Sequence, residues 1–308
     1  MAIVIAGHTG LAGSAIFERF RKEHDLVIGI NSKVVNLLDR NATFDFVASV
    51  KPRVVIDSAS YVGGIQANSL FPVDFLSKNI QIQTNLLDAC FASEVERVIF
   101  LGSSCVYPRL CPQPIKEEYL LSGKLEATNS AYAVAKIAGL ELVRAYRRQY
   151  QKKWISLMPT NMFGPYDNFS KEYGHVLPSL IARFVEALEN DVREISLWGS
   201  GRARREFLYS EDLADAVHFC LENYDDYQHL NIGTGVDIEI RELAYLIAKC
   251  LGFDGDIIWD ESHPDGTPRK VLDTTRINEL GWEPKIDFED GVRRTIDWFL
   301  ANRDIVRQ

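Results

Sequence analysis

The chain has 308 residues, more than a single hydrophobic core usually serves, so one large unit with a smaller companion is expected. With 46% apolar and 25% charged residues it has the composition of an ordinary folded protein, and its formal charge of -9 opposes general attraction to nucleic acid or anionic lipid. No apolar run approaches the roughly 20 residues a bilayer span needs, and five cysteines without a Cys-x-x-Cys pair argue against a disulfide framework or a structural zinc site.

Met1 to Ile5 carries no basic leader and runs straight into a glycine turn, so a cytoplasmic location is expected. Ala2 to Ala6 reads as a short buried strand rich in Ile and Val. Gly7-His8-Thr9-Gly10-Leu11-Ala12-Gly13 follows, then a helical pattern through Arg21. Glycines spaced this way in a strand-to-helix turn let the backbone approach a pyrophosphate, whose charge meets the helix N-terminus. Dinucleotide binding is therefore expected.

The second strand, Asp25 to Ile30, should end beside the adenosine ribose. There the chain offers Asn31-Ser32-Lys33, with one lysine and no acid, which favours NADP over NAD. Asp39 to Val50 reads as helix and Arg53 to Ser60 as strand, ending in the turn Tyr61-Val62-Gly63-Gly64-Ile65. A long helical pattern, Phe71 to Ala92, leads to strand Arg97 to Leu101. Small and polar residues, Gly102-Ser103-Ser104-Cys105-Val106-Tyr107-Pro108, come next at the mouth of the sheet, where Ser103 could bond a substrate oxygen.

Ser130 to Tyr150 reads as helix and carries Tyr132 and Lys136 four apart, on one face. A nearby ammonium favours a phenolate, so Lys136 is expected to lower the pKa of Tyr132 and fit it for proton transfer during carbonyl reduction. Strand Trp154 to Met158 completes an alternation of strands and helices that calls for a parallel, doubly wound α/β sheet. Pro159 to Phe169 is too rich in Pro, Gly and Asn for regular structure and is expected to cross to a second unit. His175 precedes the helix Leu177 to Glu189. Two later stretches, Trp198 to Glu206 and Pro264 to Lys270, combine turn residues with cations and could clamp a diphosphate. The expected division is a Rossmann-type unit over residues 1–160 with part of 205–235, and a smaller α+β substrate unit over most of 161–308.

Taken together, Gly7-x-x-Gly10-x-x-Gly13, Gly102 to Pro108, Tyr132-x-x-x-Lys136, Pro159-Thr160-Asn161 through Asn168-Phe169, His175, Trp198-Gly199-Ser200-Gly201 and Pro264 to Lys270 resemble the GDP-L-fucose synthases, 3,5-epimerase/4-reductases of the extended short-chain dehydrogenase/reductase group. The resemblance runs over nearly the whole chain. It implies conversion of GDP-4-keto-6-deoxy-D-mannose to GDP-L-fucose by inversion at C3 and C5, then reduction at C4 with NADPH. It implies Cys105 and His175 as the acid/base pair of inversion, and Ser103, Tyr132 and Lys136 as the reducing set. Gly7, Thr9, Gly10, Leu11, Gly13, Ser32, Lys33, Lys136, Pro159 and His175 would surround the cofactor. Asn161 would line the sugar pocket, while Arg183, Trp198, Arg205, Asp265 and Lys270 would hold the GDP portion.

The chain departs from that family at Thr9 and Ser32, where arginines commonly reach the 2′-phosphate, so NADH stays open beside NADPH. Tyr61 replaces an expected lysine. The same chemistry on another GDP-4-keto sugar, a 6-deoxy-heptose or colitose precursor, is an alternative, and a non-catalytic nucleotide sensor a remote one. The resemblance also implies a homodimer built on the two long helices.

Overall fold

The computed structural model describes residues 2–263 and 266–306. β1 (Ile3–Ala6) is buried along its whole length, as expected for a parallel strand covered by helices on both sides. Strand alternation sorts its side chains: Val4 and Ala6 join one core with Val55, Val98 and Phe100, whereas Ile3 and Ile5 join another with Ile56, Ile99 and Leu157.

α1 (Leu11–Phe20) follows the glycine turn, and β2 (Val27–Ile30) pairs parallel with β1. α2 (Arg40–Val50) is capped by Asp39, whose carboxylate accepts from the Ala42 amide at 3.0 Å. β3 (Val54–Asp57) lies on the other side of β1. α3 (Ile65–Leu70) and α4 (Pro72–Ala92) lead to β4 (Arg97–Leu101), and α5 (Ser130–Tyr150) leads to β5 (Ile155–Pro159). α3 starts at Ile65, the end of the expected glycine turn, and fills residues 66–70, which the sequence pattern leaves unassigned.

The chain then crosses to a second group of elements: β6 (Asn161–Phe163), α6 (Val176–Glu189), β7 (Glu194–Trp198) and β8 (Arg204–Tyr209). β6 corrects the expectation that 159–169 is irregular. It pairs parallel with the second half of β8, Asn161 opposite Phe207 and Phe163 opposite Tyr209, a partner that local composition does not reveal. α7 (Ser210–Asn223) packs on α1, and β9 (Leu230–Ile232) returns to the first sheet beside β5. β10 (Asp237–Glu239), α8 (Ile240–Leu251), β11 (Asp256–Asp260), β12 (Arg269–Lys270), α9 (Thr275–Glu279) and α10 (Phe288–Ala301) complete the described chain.

Among the described residues the first sheet runs β2-β1-β3-β4-β5-β9, all parallel. This is the doubly wound α/β architecture expected from the sequence. Strand order reverses between β1 and β3, and ligands of such sheets sit beyond the carboxyl ends at that point. A second sheet orders β10-β8-β12, β7 pairs with β11, and Phe163, Phe184, Leu243 and Phe299 share a third core. Glu206 on β8 is fully buried and joins these parts: its carboxylate accepts from Thr234 N at 2.6 Å, Gly235 N at 2.8 Å and Leu272 N at 2.8 Å.

Candidate active site

The glycine turn after β1 lies in the crevice at the strand reversal. Gly7 has φ +80°, and a Cβ on it would stand 2.9 Å from the Ala59 Cα; one on Gly13 would stand 2.1 Å from the Gly7 carbonyl oxygen. These two glycines close the turn against the end of β3. A Cβ on Gly10 would meet only that carbonyl oxygen, at 3.5 Å, so its open side faces the crevice. The first turn of α1 carries no acid and Gly10 caps it without a side chain, leaving amides free for an anion. The cradle fits a dinucleotide pyrophosphate. Leu11 opens α1 half-buried, Thr9, Ser32 and Lys33 are exposed, and Pro159 is buried at the end of β5.

Across the crevice, Tyr132 and Lys136 occupy the first two turns of α5. The Tyr132 phenol lies beside Ser60 and Ser103, near enough for both hydroxyls to favour its anion. Sequence does not single out Ser60, which is held by a 2.7 Å bond to Asn79 Oδ1. The expectation that Lys136 draws the phenol toward ionisation is not met. Dense surroundings hold the Tyr132 phenol well above its usual pKa, the neighbouring Cys105 adds to this, and the two serine hydroxyls oppose it. Lys136 instead donates to the Leu101 carbonyl at 2.8 Å and sits 5.9 Å from the Tyr132 ring centroid. Burial pulls its own pKa down to about 8, and Asp57, buried at the end of β3, works to hold it up.

Ser103 ends the loop into a 3-10 turn, Ser104–Val106, and its hydroxyl accepts from the Cys105 amide at 3.2 Å. The half-buried Cys105 sulfur receives Asn129 Nδ2 at 3.3 Å and Lys270 Nζ at 3.8 Å. Lys270 reaches it because the chain around Ile115 bridges to Leu272, with Ile115 N donating to Val271 O at 2.8 Å. Ser103, Cys105 and Tyr132 thus form one cluster, joined by a lysine that the resemblance assigned to GDP and by Asn129.

His175 caps α6, and its Nδ1 faces the buried carboxylate of Asp167 at 3.9 Å. Packing around the ring lowers its pKa, but the facing Asp167 carboxylate outweighs this and holds it above the ordinary histidine value. The segment is fastened to the same crevice: Gly64 N donates to Tyr173 O at 2.7 Å, and α3 packs on Ala127–Asn129, the turn that carries Asn129.

The remaining positions are distributed over the second group of elements. Asn161 donates from Nδ2 to the Glu206 carbonyl at 2.8 Å, and Arg183 lies half-buried two turns along α6 from His175. Trp198, 62% exposed, stacks on His263 at 4.5 Å. Arg205 donates to Thr267 O at 2.6 Å. Asp237 engages both Arg204 and Arg269, so those two cations of the basic stretches are already paired. Asp265 lies outside the described residues.

A dinucleotide cradle facing a tyrosine, a serine and a lysine at the carboxyl ends of a parallel sheet defines a nicotinamide-dependent enzyme of the Rossmann type. The chain belongs to the NAD dependent epimerase/dehydratase family, whose sequence profile matches residues 3–233. It is 45% identical to the GDP-L-fucose synthase of Escherichia coli K12, over 99% of this chain and 98% of that one. It is 46% identical to GDP-L-fucose synthase 1 of Arabidopsis thaliana, over 97% and 93%. Its fold is similar to the NADP-bound crystal structure of a GDP-L-fucose synthetase from Naegleria fowleri, with a TM-score of 0.91, 30% identity and coverage of 100% and 96%.

Proposed function

We propose that the chain is a bifunctional epimerase/reductase that converts GDP-4-keto-6-deoxy-D-mannose to GDP-L-fucose with NADPH. The carrying observation is the cluster at the crevice, where Tyr132 lies beside Ser103 and Ser103 accepts from the Cys105 amide, in a chain close to GDP-L-fucose synthases along its length. Inversion next to a ketone needs one group to remove the α-proton and another to return a proton from the opposite face. A thiol and an imidazole suit this, with ordinary pKa values of about 8.5 and 6.5, and Cys105 and His175 are assigned the two parts. Ser103 and Tyr132 hydrogen-bond the C4 oxygen as enolate charge develops on it.

Bound NADPH supplies the hydride that reduces C4. Tyr132 gives its proton to the C4 oxygen, a role suited to a phenol that burial keeps protonated. Lys136, as an ammonium, orients the nicotinamide ribose. Gly7, Gly10 and Gly13 seat the pyrophosphate on α1. Thr9, Leu11, Ser32, Lys33 and Pro159 border the rest of the cofactor. Trp198, Arg183, Arg205, Lys270 and Asp265 hold the nucleotide, and Asn161 faces the sugar. The first sheet forms the cofactor unit and the elements from β6 onward form most of the substrate unit.

No helix among the described residues is long and apolar enough to cross a membrane. A cytoplasmic homodimer is the assembly we assign, with α4 and α5, which pack on each other, pairing with their copies. Val73, 75% exposed, and Val134, 45% exposed, would be covered there. A monomer by light scattering at micromolar concentration would reject the dimer.

The deciding experiment incubates the protein with GDP-4-keto-6-deoxy-D-mannose in heavy water, with and without NADPH. Deuterium at C3 and C5 and oxidation of NADPH are expected. Exchange and NADPH oxidation with another GDP-4-keto sugar alone would move the assignment to that sugar; inactivity with all of them would leave a nucleotide-binding protein without this chemistry.

A further inference from the structure

We infer that Asp167 is a positioning residue for His175: its buried carboxylate fixes the orientation of the ring, holds a proton on Nδ1 and so turns Nε2 toward the substrate. This rests on the reading of His175 as a proton carrier. Asp167 is only 4% exposed, and among the described residues its Oδ2 is buried without a hydrogen-bond partner. Its Oδ1 accepts from Asn168 N at 2.7 Å and lies 3.9 Å from His175 Nδ1. A buried carboxylate with a bare oxygen is costly unless something compensates it. The His175 side chain in front of it is 48% exposed. Asp167 is the charged group that raises the ring's affinity for a proton.

The segment from Tyr166 to Gly174 keeps the two residues facing. Phe169 stacks on Phe299 at 4.5 Å, Tyr166 packs on Trp298 at 4.8 Å, Asn168 Oδ1 accepts from Ser170 N at 3.0 Å, and Gly174 N donates to Ser170 O at 3.0 Å. At 3.9 Å the carboxylate and imidazole are just beyond hydrogen-bond length. Acid/base contacts of this kind commonly tighten only when substrate is bound.

The test titrates the His175 imidazole by proton NMR, its signal assigned with His175→Asn. In the parent protein the midpoint is expected above about 6.5, and in Asp167→Asn below it. A parent midpoint at or below the ordinary value overturns the proposal even if the variant does not fold, and so does an unchanged midpoint in the variant. In deuterium exchange, Asp167→Asn is expected to lower kcat by about 10- to 100-fold with KM within about twofold, and Asp167→Glu to recover part of the loss. Unchanged kcat overturns the proposal. Absence of exchange in the parent refutes the functional reading instead, and the titration alone then decides about Asp167.

Discussion

The Lys270 ammonium stands 3.8 Å from the Cys105 sulfur, although 165 positions separate the two residues. An ammonium in contact with a sulfur stabilises negative charge on it as it attacks an electrophile. Lys270→Met is expected to slow alkylation of Cys105 by iodoacetamide by about 3- to 10-fold at neutral pH. Mass spectrometry of the Cys105 peptide over time checks this, and an unchanged rate would mean that the contact has no electrostatic consequence.

Cys105→Ser is expected to reduce deuterium incorporation at C3 and C5 by about 100-fold or more, because a hydroxyl is a far weaker acid than a thiol. The dinucleotide cradle is on other elements, so NADPH affinity measured by fluorescence should stay within about twofold. Full exchange in this variant would remove the thiol from the reaction.

Tyr132→Phe leaves the ring and its edge-on packing against Phe75, 6.3 Å away, but removes the hydroxyl. NADPH oxidation should fall by about 100- to 10,000-fold while slow exchange at C3 persists. Normal reduction by this variant would contradict the assignment of the phenol as proton donor.

Lys136, at about 8, should lose its proton in the mildly alkaline range, and the reduction rate should fall as pH rises through that value. Asp57, whose own value burial raises to about 6, is an anion there and opposes the loss. Removing that charge makes the ammonium harder to keep, so Asp57→Asn should move the alkaline limb of kcat toward lower pH. A limb unmoved or displaced upward would show that the two groups are uncoupled.

Gly10→Ala and Gly13→Ala separate two roles within one turn. The first places a methyl in the open crevice, so the protein should fold normally and bind NADPH at least about tenfold more weakly. The second drives a Cβ to 2.1 Å from a carbonyl oxygen and should destabilise the fold itself. Thermal melting with and without NADPH distinguishes the cases.

Much of this architecture was legible because its determinants are local. Ile-Val-Ile-Ala before a glycine turn specifies a buried parallel strand, and the extents of α4 and α5 follow from long helical patterns. β6 was not legible, because Asn161, Met162 and Phe163 become a strand only against β8, more than 40 positions later. At the site, the tyrosine, serine and cysteine carry sequence spacing, but their partners do not. Ser60, Asn129 and Asp167 look like ordinary turn residues, and nothing near Lys270 in the chain indicates Cys105. The expectation of a lowered phenol pKa fails for a related reason: helical spacing places Lys136 beside Tyr132, but it cannot reveal that the ammonium is committed to Leu101.

Glu206 gathers amides that follow β9 and β12 onto one carboxylate on β8. Neither the first sheet nor the smaller assembly around β8 can come apart without stranding charge or amides at that seam. The chain should therefore melt in a single calorimetric transition, its two sheets behaving as one cooperative body.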